Sequence, residues 1–204
     1  MLPFMSFTHQ SKHGEVLIRR VEENDIPRLI ELNKKAFPTM AEENVVWSVR
    51  QLKSHLKVFP MGQLVAVIGG EIVGAVASLI VKTDCDPYRQ HTYSGITDGG
   101  YFYNHHAKGD SLYGADVYVD PNFQGKGIGA ALYEARRRLC KELNLRRILA
   151  GGRLSGYHAQ DPEVTPQEYV EQVKRGELYD NVLSFQLKQG FIVRGILCNY
   201  ITDP

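Results

Sequence analysis

The chain has 204 residues, of which 43% are hydrophobic, and 24 Lys and Arg against 23 Asp and Glu leave a formal net charge of +1. That balance argues against a dedicated nucleic-acid binder, whose footprint would be strongly basic, and no run of about twenty apolar residues could span a membrane. Three cysteines (Cys85, Cys140 and Cys198) without paired spacing, and an N-terminus lacking the apolar core of a signal peptide, fit the cytoplasm.

Residues 1–14 read as a flexible tail and 15–204 as a single domain. Leu17–Val21 is predicted to be a strand. Asn24-Asp25-Ile26-Pro27 then opens a helix with apolar residues at Ile26, Leu29, Ile30, Leu32 and Phe37. A second helix is expected from Val45 to about Lys57. Leu64–Ile68, Gly69-Gly70-Glu71 and Ile72–Val81 form the clearest hairpin signal. From Thr83 to Asp110 the pattern dissolves into an aromatic, His-rich loop, and such long loops are more often functional than idle. Leu112–Val119 is the next strand, followed by a glycine turn. The helix after it is lined by Ile128, Ala131, Leu132, Ala135, Leu139 and Leu143. Arg147–Ala150 reads as a short strand. Thr165-Pro166-Gln167-Glu168 is a capping box, and Val182–Gln189 is a short helix closed by Gly190. Phe191–Cys198 is expected to be a last strand. Hairpins mixed with one strand–turn–helix crossover imply a mixed sheet, an α/β (α+β) arrangement with helices on both faces.

Val117-Tyr118-Val119-Asp120-Pro121-Asn122-Phe123-Gln124-Gly125-Lys126-Gly127-Ile128-Gly129-Ala130 carries the most chemistry. Glycines let the backbone approach a ligand, and the helix start adds unpaired N–H groups and a positive dipole end, which together suit a phosphate or pyrophosphate. A Walker A loop would need Gly-Lys-Ser/Thr, which is absent. Gly125-x-Gly127-x-x-Ala130 satisfies the loose dinucleotide fingerprint, but no acid follows at the ribose position. Gln-x-x-Gly-x-Gly, from Gln124, Gly127 and Gly129, fits better; glycine used for packing alone is the plainer alternative.

This loop after a Val-Tyr-Val strand resembles the acyl-CoA loop of the GNAT N-acetyltransferases. The opening Asn24-Asp25-Ile26-Pro27 and closing Lys188-Gln189-Gly190-Phe191 are similar to that family too. Residues 150–158, Thr165–Gly176 and Asn199-Tyr200 look like the acetyltransferase domain that precedes a carbon–nitrogen hydrolase domain in some proteins, a partner domain not expected in this chain. The resemblance implies a mostly antiparallel sheet with splayed central strands. It also implies acetyl-CoA as co-substrate, held by Val117, Tyr118 and Val119 and by the Gln124, Gly125, Lys126, Gly127, Ile128, Gly129 and Ala130 cradle. The reaction would be direct attack of an amine, small-molecule or peptide, on the thioester. A homodimer is suggested by the family alone.

Asp116 is the acid nearest the loop, and alternation puts it on one face with Tyr118; it is the candidate base, with Asp110 second. The family's usual acid, a tyrosine four residues before the closing Gly-Phe pair, is here Gln186, which has no proton to give. Tyr157, Tyr179 or water would substitute, or the domain binds acyl-CoA without catalysis. His91, His105 and His106 with Asp84, Asp86, Asp98 and Asp110 match no metal-ligand spacing, so no metal is expected; they would shape the acceptor pocket or simply decorate a polar loop. Arg136-Arg137-Arg138 could reach a phosphate of CoA, though a solvated helix face is the commoner role. Cys140 belongs to the core.

Overall fold

The computed structural model describes residues 6–11, 14–38, 46–83, 86 and 88–201. Val45, Asp84 and Cys85, singled out above, lie outside them. The strands are β1 Ser6–Ser11, β2 Gly14–Arg20, β3 Leu64–Ile68, β4 Glu71–Val81, β5 Ser111–Val119 and β6 Arg147–Leu149. They form a six-stranded sheet in sequential order, antiparallel throughout except for the parallel β5–β6 pair. The helices are α1 Ile26–Ala36, α2 Val49–Val58, α3 Tyr93–Thr97, α4 Ile128–Glu142, α5 Pro166–Arg175 and α6 Leu183–Lys188. None of them is long and apolar enough to cross a membrane.

Local chemistry explains the elements. Gly69 and Gly70, at φ 57° and 88°, supply the two left-handed positions that a two-residue β3–β4 turn demands. Ser48 and Gln51 cap α2 reciprocally, and Thr165 and Glu168 do the same for α5. The alternation of β-strand side chains separates two cores. On one face, Ile26, Leu29 and Leu32 of α1 and Leu52 of α2 pack against Val65, Ala75, Ala77, Leu79 and Tyr118. On the other, Ile128, Ala131, Leu132 and Ala135 of α4 cover Val16, Ile18, Leu64, Ala66 and Val76. Each fully buried Leu or Ile in these layers contributes about 1.5–3 kcal/mol by leaving water. Leu139 and Cys140 close a third cluster with Phe59, Ile80 and Leu112, so the cysteine is core as expected.

Three expectations change. Residues 6–11 are not loose: β1 pairs with β2 from Gly14 to Arg19, with Phe7 opposite Ile18. Its polar, alternating sequence suits an exposed edge strand, where only one row of side chains needs an apolar neighbour. The second helix starts at Val49, because Ser48 caps it. Phe191–Cys198 makes no ladder among the described residues. Gln90 bonds it instead, its Nε2 donating to Ile196 O at 2.7 Å and its Oε1 accepting from Cys198 N at 3.0 Å.

Candidate functional site

β5 and β6 pair only from Ser111–Arg147 to Tyr113–Leu149. From Gly114 to Val119, β5 continues without a strand partner on that side among the described residues, so the sheet opens into a V. The free edge leads directly into the glycine turn. Gly125 and Gly127 take φ 72° and 83°, and Gly127 is the left-handed N-cap of α4. The first intrahelical bond is Ala131 N to Gly127 O at 3.0 Å, so the N–H groups before it point out of the helix start. A Cβ built on Gly125 would meet nothing within 4 Å, which leaves the front of the turn open. Gly129 differs: a Cβ there would lie 2.8 Å from Phe185, so that glycine serves helix packing. The turn thus joins an open, left-handed backbone loop to a packing device.

Beside the V, the β4–β5 register slips between Ala77–Asp116 and Ser78–Gly114, making Ala115 a bulge residue. A bulge re-aims side chains and leaves carbonyls outside the ladder. Arg136 of α4, 1% exposed, meets them: it donates to Ala77 O at 2.8 Å, to Ser78 Oγ at 3.1 Å and to Asp116 O. Gly114 makes this possible, since a Cβ would stand 3.1 Å from the guanidinium carbon. The three consecutive arginines therefore separate: Arg136 is structural, Arg137 lines the cleft described below, and Arg138 pairs with Glu134. Arg136 is neither a phosphate ligand nor a solvated side chain.

The bulge turns the Asp116 carboxylate toward α1 and α2, on the face shared with Tyr118, as alternation indicated. Oδ2 accepts from Trp47 Nε1 at 2.7 Å and Asn33 Nδ2 at 3.4 Å, and Oδ1 from Val117 N at 2.8 Å. Part of the residue remains open to solvent, yet its carboxyl is packed deeply enough that desolvation pushes it up to about 6; the Trp47 bond and Arg136 hold it from rising further. Asp110 is elsewhere, bonded to Thr83 and Ser111.

A cleft of about 710 Å³ opens where β6 ends, walled by residues 147–154, α6 and the 189–201 segment. Gln186 lies in it, so close to Gly152 that no Cβ would fit between. His91, Tyr113 and Tyr200 also line it. His91 Nε2 is 3.0 Å from the Tyr113 hydroxyl, which is 2.8 Å from that of Tyr200. Neither substitute tyrosine reaches this place: Tyr157 donates its hydroxyl proton to Val164 O at 2.8 Å and packs on Tyr169, and Tyr179 is 66% exposed under Lys188. The other loop histidine with a resolved role, His105, accepts from Ile80 N and stacks on Phe59 at 4.6 Å. Among the described residues no three His, Cys, Asp or Glu side chains are grouped to hold a metal ion. The Tyr113–Tyr200–His91 grouping was missed because it joins residues 22 and 87 positions apart.

The sequence matches the Acetyltransferase (GNAT) family over residues 26–161. This chain belongs to the GNAT family. It is 38% identical over 198 residues to the "Uncharacterized N-acetyltransferase YkwB" of Bacillus subtilis, covering 97% of this chain and 87% of that protein. It is also 44% identical over 189 residues to the "Probable hydrolase YhcX" of the same organism, covering 93% of this chain but only 36% of that longer protein. Among solved structures it is similar to a "GphF GNAT-like decarboxylase in complex with isobutyryl-CoA", with TM-score 0.76 at 22% identity over 90% of both chains. That likeness speaks for the fold: the GNAT sheet with its opened strands is the frame that places the glycine turn, Asp116 and the cleft around one V.

Proposed function

We propose that this domain transfers an acetyl group from acetyl-CoA to an amine by direct attack, as a cytoplasmic enzyme without a metal. The observation that carries this reading is the free edge of β5 running into the open glycine turn. The backbone of Val117, Tyr118 and Val119 would bond the pantetheine arm, and Gln124 to Ala130 would surround the pyrophosphate with N–H groups and the positive end of α4. Asp116 brings negative charge to the acceptor side of the V, where an ammonium would arrive. An amine of a small molecule or peptide is the acceptor class, and 15–204 works as one domain in this reading.

The test combines calorimetry with CoA and a thiol-release assay over amines, polyamines and peptides, with acetyl-CoA and isobutyryl-CoA as donors. Gly127→Val should weaken CoA binding at least about 10²-fold while the fold persists, because a branched side chain is strained at positive φ and obstructs the cradle. Near-native binding heats in that variant would overturn the loop assignment. Gln186, which cannot donate a proton, favours a second reading: a domain that binds acyl-CoA without turning it over. CoA binding with no thiol release from any amine would select it.

A further inference from the structure

His91, Tyr113 and Tyr200 form a hydrogen-bonded line whose direction is fixed by its outer end. Arg89 O can only accept, so His91 Nδ1, 2.9 Å away, carries the ring hydrogen. In the neutral imidazole Nε2 is then the acceptor, and the Tyr113 hydroxyl donates to it across 3.0 Å. The Tyr113 oxygen, with its hydrogen directed at His91, accepts from the Tyr200 hydroxyl at 2.8 Å. Every hydrogen in the line points from Tyr200 toward His91.

The inner end is held in place. Tyr200 O accepts from Tyr93 N, and the Tyr200 ring lies against Gly151, where any Cβ would collide with it. Gly152, the next residue, meets Gln186, so the Tyr200 hydroxyl stands one residue along β6's extension from the position where the family resemblance expects a tyrosine. Tyr113 is the last β5 residue paired with β6, so the line begins at the vertex of the V. Burial pushes the Tyr113 hydroxyl up to about 12 and raises Tyr200 too, to which its interaction with Tyr113 and the charge of Asp116 add. Both phenols stay un-ionised in neutral solution and are suited to passing protons rather than holding charge.

We propose that the Tyr200 oxygen takes a proton from the incoming amine and that Tyr113 relays it to His91 Nε2. This rests on the amine-acetylation reading above. In balance, the ammonium gives one proton to Tyr200, whose own hydrogen moves to Tyr113, whose hydrogen moves to Nε2. The products of that step are a neutral amine and an imidazolium. The amine nitrogen then bonds to the thioester carbon, its second proton ends on sulfur as the C–S bond breaks, and half-buried His91 returns its proton to water. Tyr200 is the catalytic group; Tyr113 and His91 act through it. The charged groups sharing this cleft are Arg137, Arg147, Arg153 and Arg194, the last stacked over Tyr88; among the described residues no carboxylate lines it. Asp116, behind Trp47, is the carboxylate whose charge acts on Tyr93 and Tyr200.

Two measurements on the whole chain decide the matter. Two-bond proton–nitrogen NMR of the imidazole rings in mildly alkaline solution should show His91 protonated at Nδ1 and bare at Nε2, with the Nε2 resonance moved by Tyr113→Phe. A ring protonated at Nε2 instead would overturn the relay. The second measurement is a pH–rate profile with acetyl-CoA and the best amine from the panel. Tyr200→Phe and His91→Gln should each lower kcat about 10²-fold with CoA affinity unchanged, flatten the acid limb, and lose no more when combined. Variant profiles that overlay an active wild type sink the relay alone. A wild type that binds CoA but acetylates nothing sinks the amine reading, and this role with it.

Discussion

The seam between β4 and β5 and the edge beyond β6 are built by opposite means. At the seam, a bulge that breaks the ladder is closed again by a buried guanidinium whose Nε and Nη2 have fixed partners. At the β6 edge, a three-residue ladder gives way to a segment tied down by the side-chain amide of Gln90. The first arrangement fixes Asp116 and the opening of the V to within one geometry. The second holds a wall of the cleft through a few hydrogen bonds from Gln90 and Tyr93. Local stability is set by how many buried bonds must break together, so the two regions should respond very differently to damage.

The sharpest way to break the contrast is at Arg136. Arg136→Met keeps the buried stem but leaves Ala77 O and Asp116 O without their donor. The expected loss is about 3–5 kcal/mol of unfolding free energy, read by chemical denaturation. A loss under about 1 kcal/mol would mean that the seam is no more tightly determined than the edge.

Acid should reach the seam side of the molecule before it reaches the edge. His55 is 1% exposed, donates Nε2–H to Gly100 O at 2.7 Å and stacks on Phe102; burial lowers it from 6.5 to about 4. The unfolded chain takes up a proton here at higher pH than the folded one. Stability from this group is therefore complete at neutral pH and is lost as pH falls from 6.5 to about 4, by about 3 kcal/mol over the window. Asp116 works in the opposite sense. Its folded carboxyl, at about 6 against 3.8, binds a proton before the unfolded one does, so stability from it rises as pH drops through 6. Unfolding midpoints taken across this range should fall more steeply in Asp116→Asn and flatten in His55→Phe. Parallel curves for all three proteins would refute both assignments.

The smallest effect belongs to the edge. Gln90→Ala should cost about 1 kcal/mol or less, yet speed hydrogen exchange at the Cys198 amide and thiol labelling of exposed Cys198, while Cys140 stays protected. Equal acceleration at both cysteines would show that the edge is coupled to the core.

The same contrast explains what could be read from the sequence. The β3–β4 hairpin, the α4 face, the Thr165–Glu168 capping box and the glycine turn were legible because each depends on neighbours close in the chain; the Ser48–Gln51 box that starts α2 is just as local but was not read. Arg136 was half legible: it lies four residues from Leu132 and three from Leu139, on the buried face of α4, which marks it as an inward arginine. The partner it seeks was not legible, because the Ala115 bulge depends on how two strands register. The His91–Tyr113–Tyr200 line depends on three segments meeting, and no local pattern announces it. Phe191–Cys198 has the apolar, β-branched composition of a strand, but pairing needs a free partner edge, and its backbone is bonded by Gln90 instead.

Gly114 and Arg136 make a pair with a history of its own. Any side chain at 114 crowds the guanidinium, and any shorter residue at 136 strands the carbonyls that the bulge released. Neither position can drift alone without passing through a damaged intermediate. Across descendants of this chain the two should be inherited as a unit, and a lineage that lost one would be expected to have straightened the strand and given up the bulge as well.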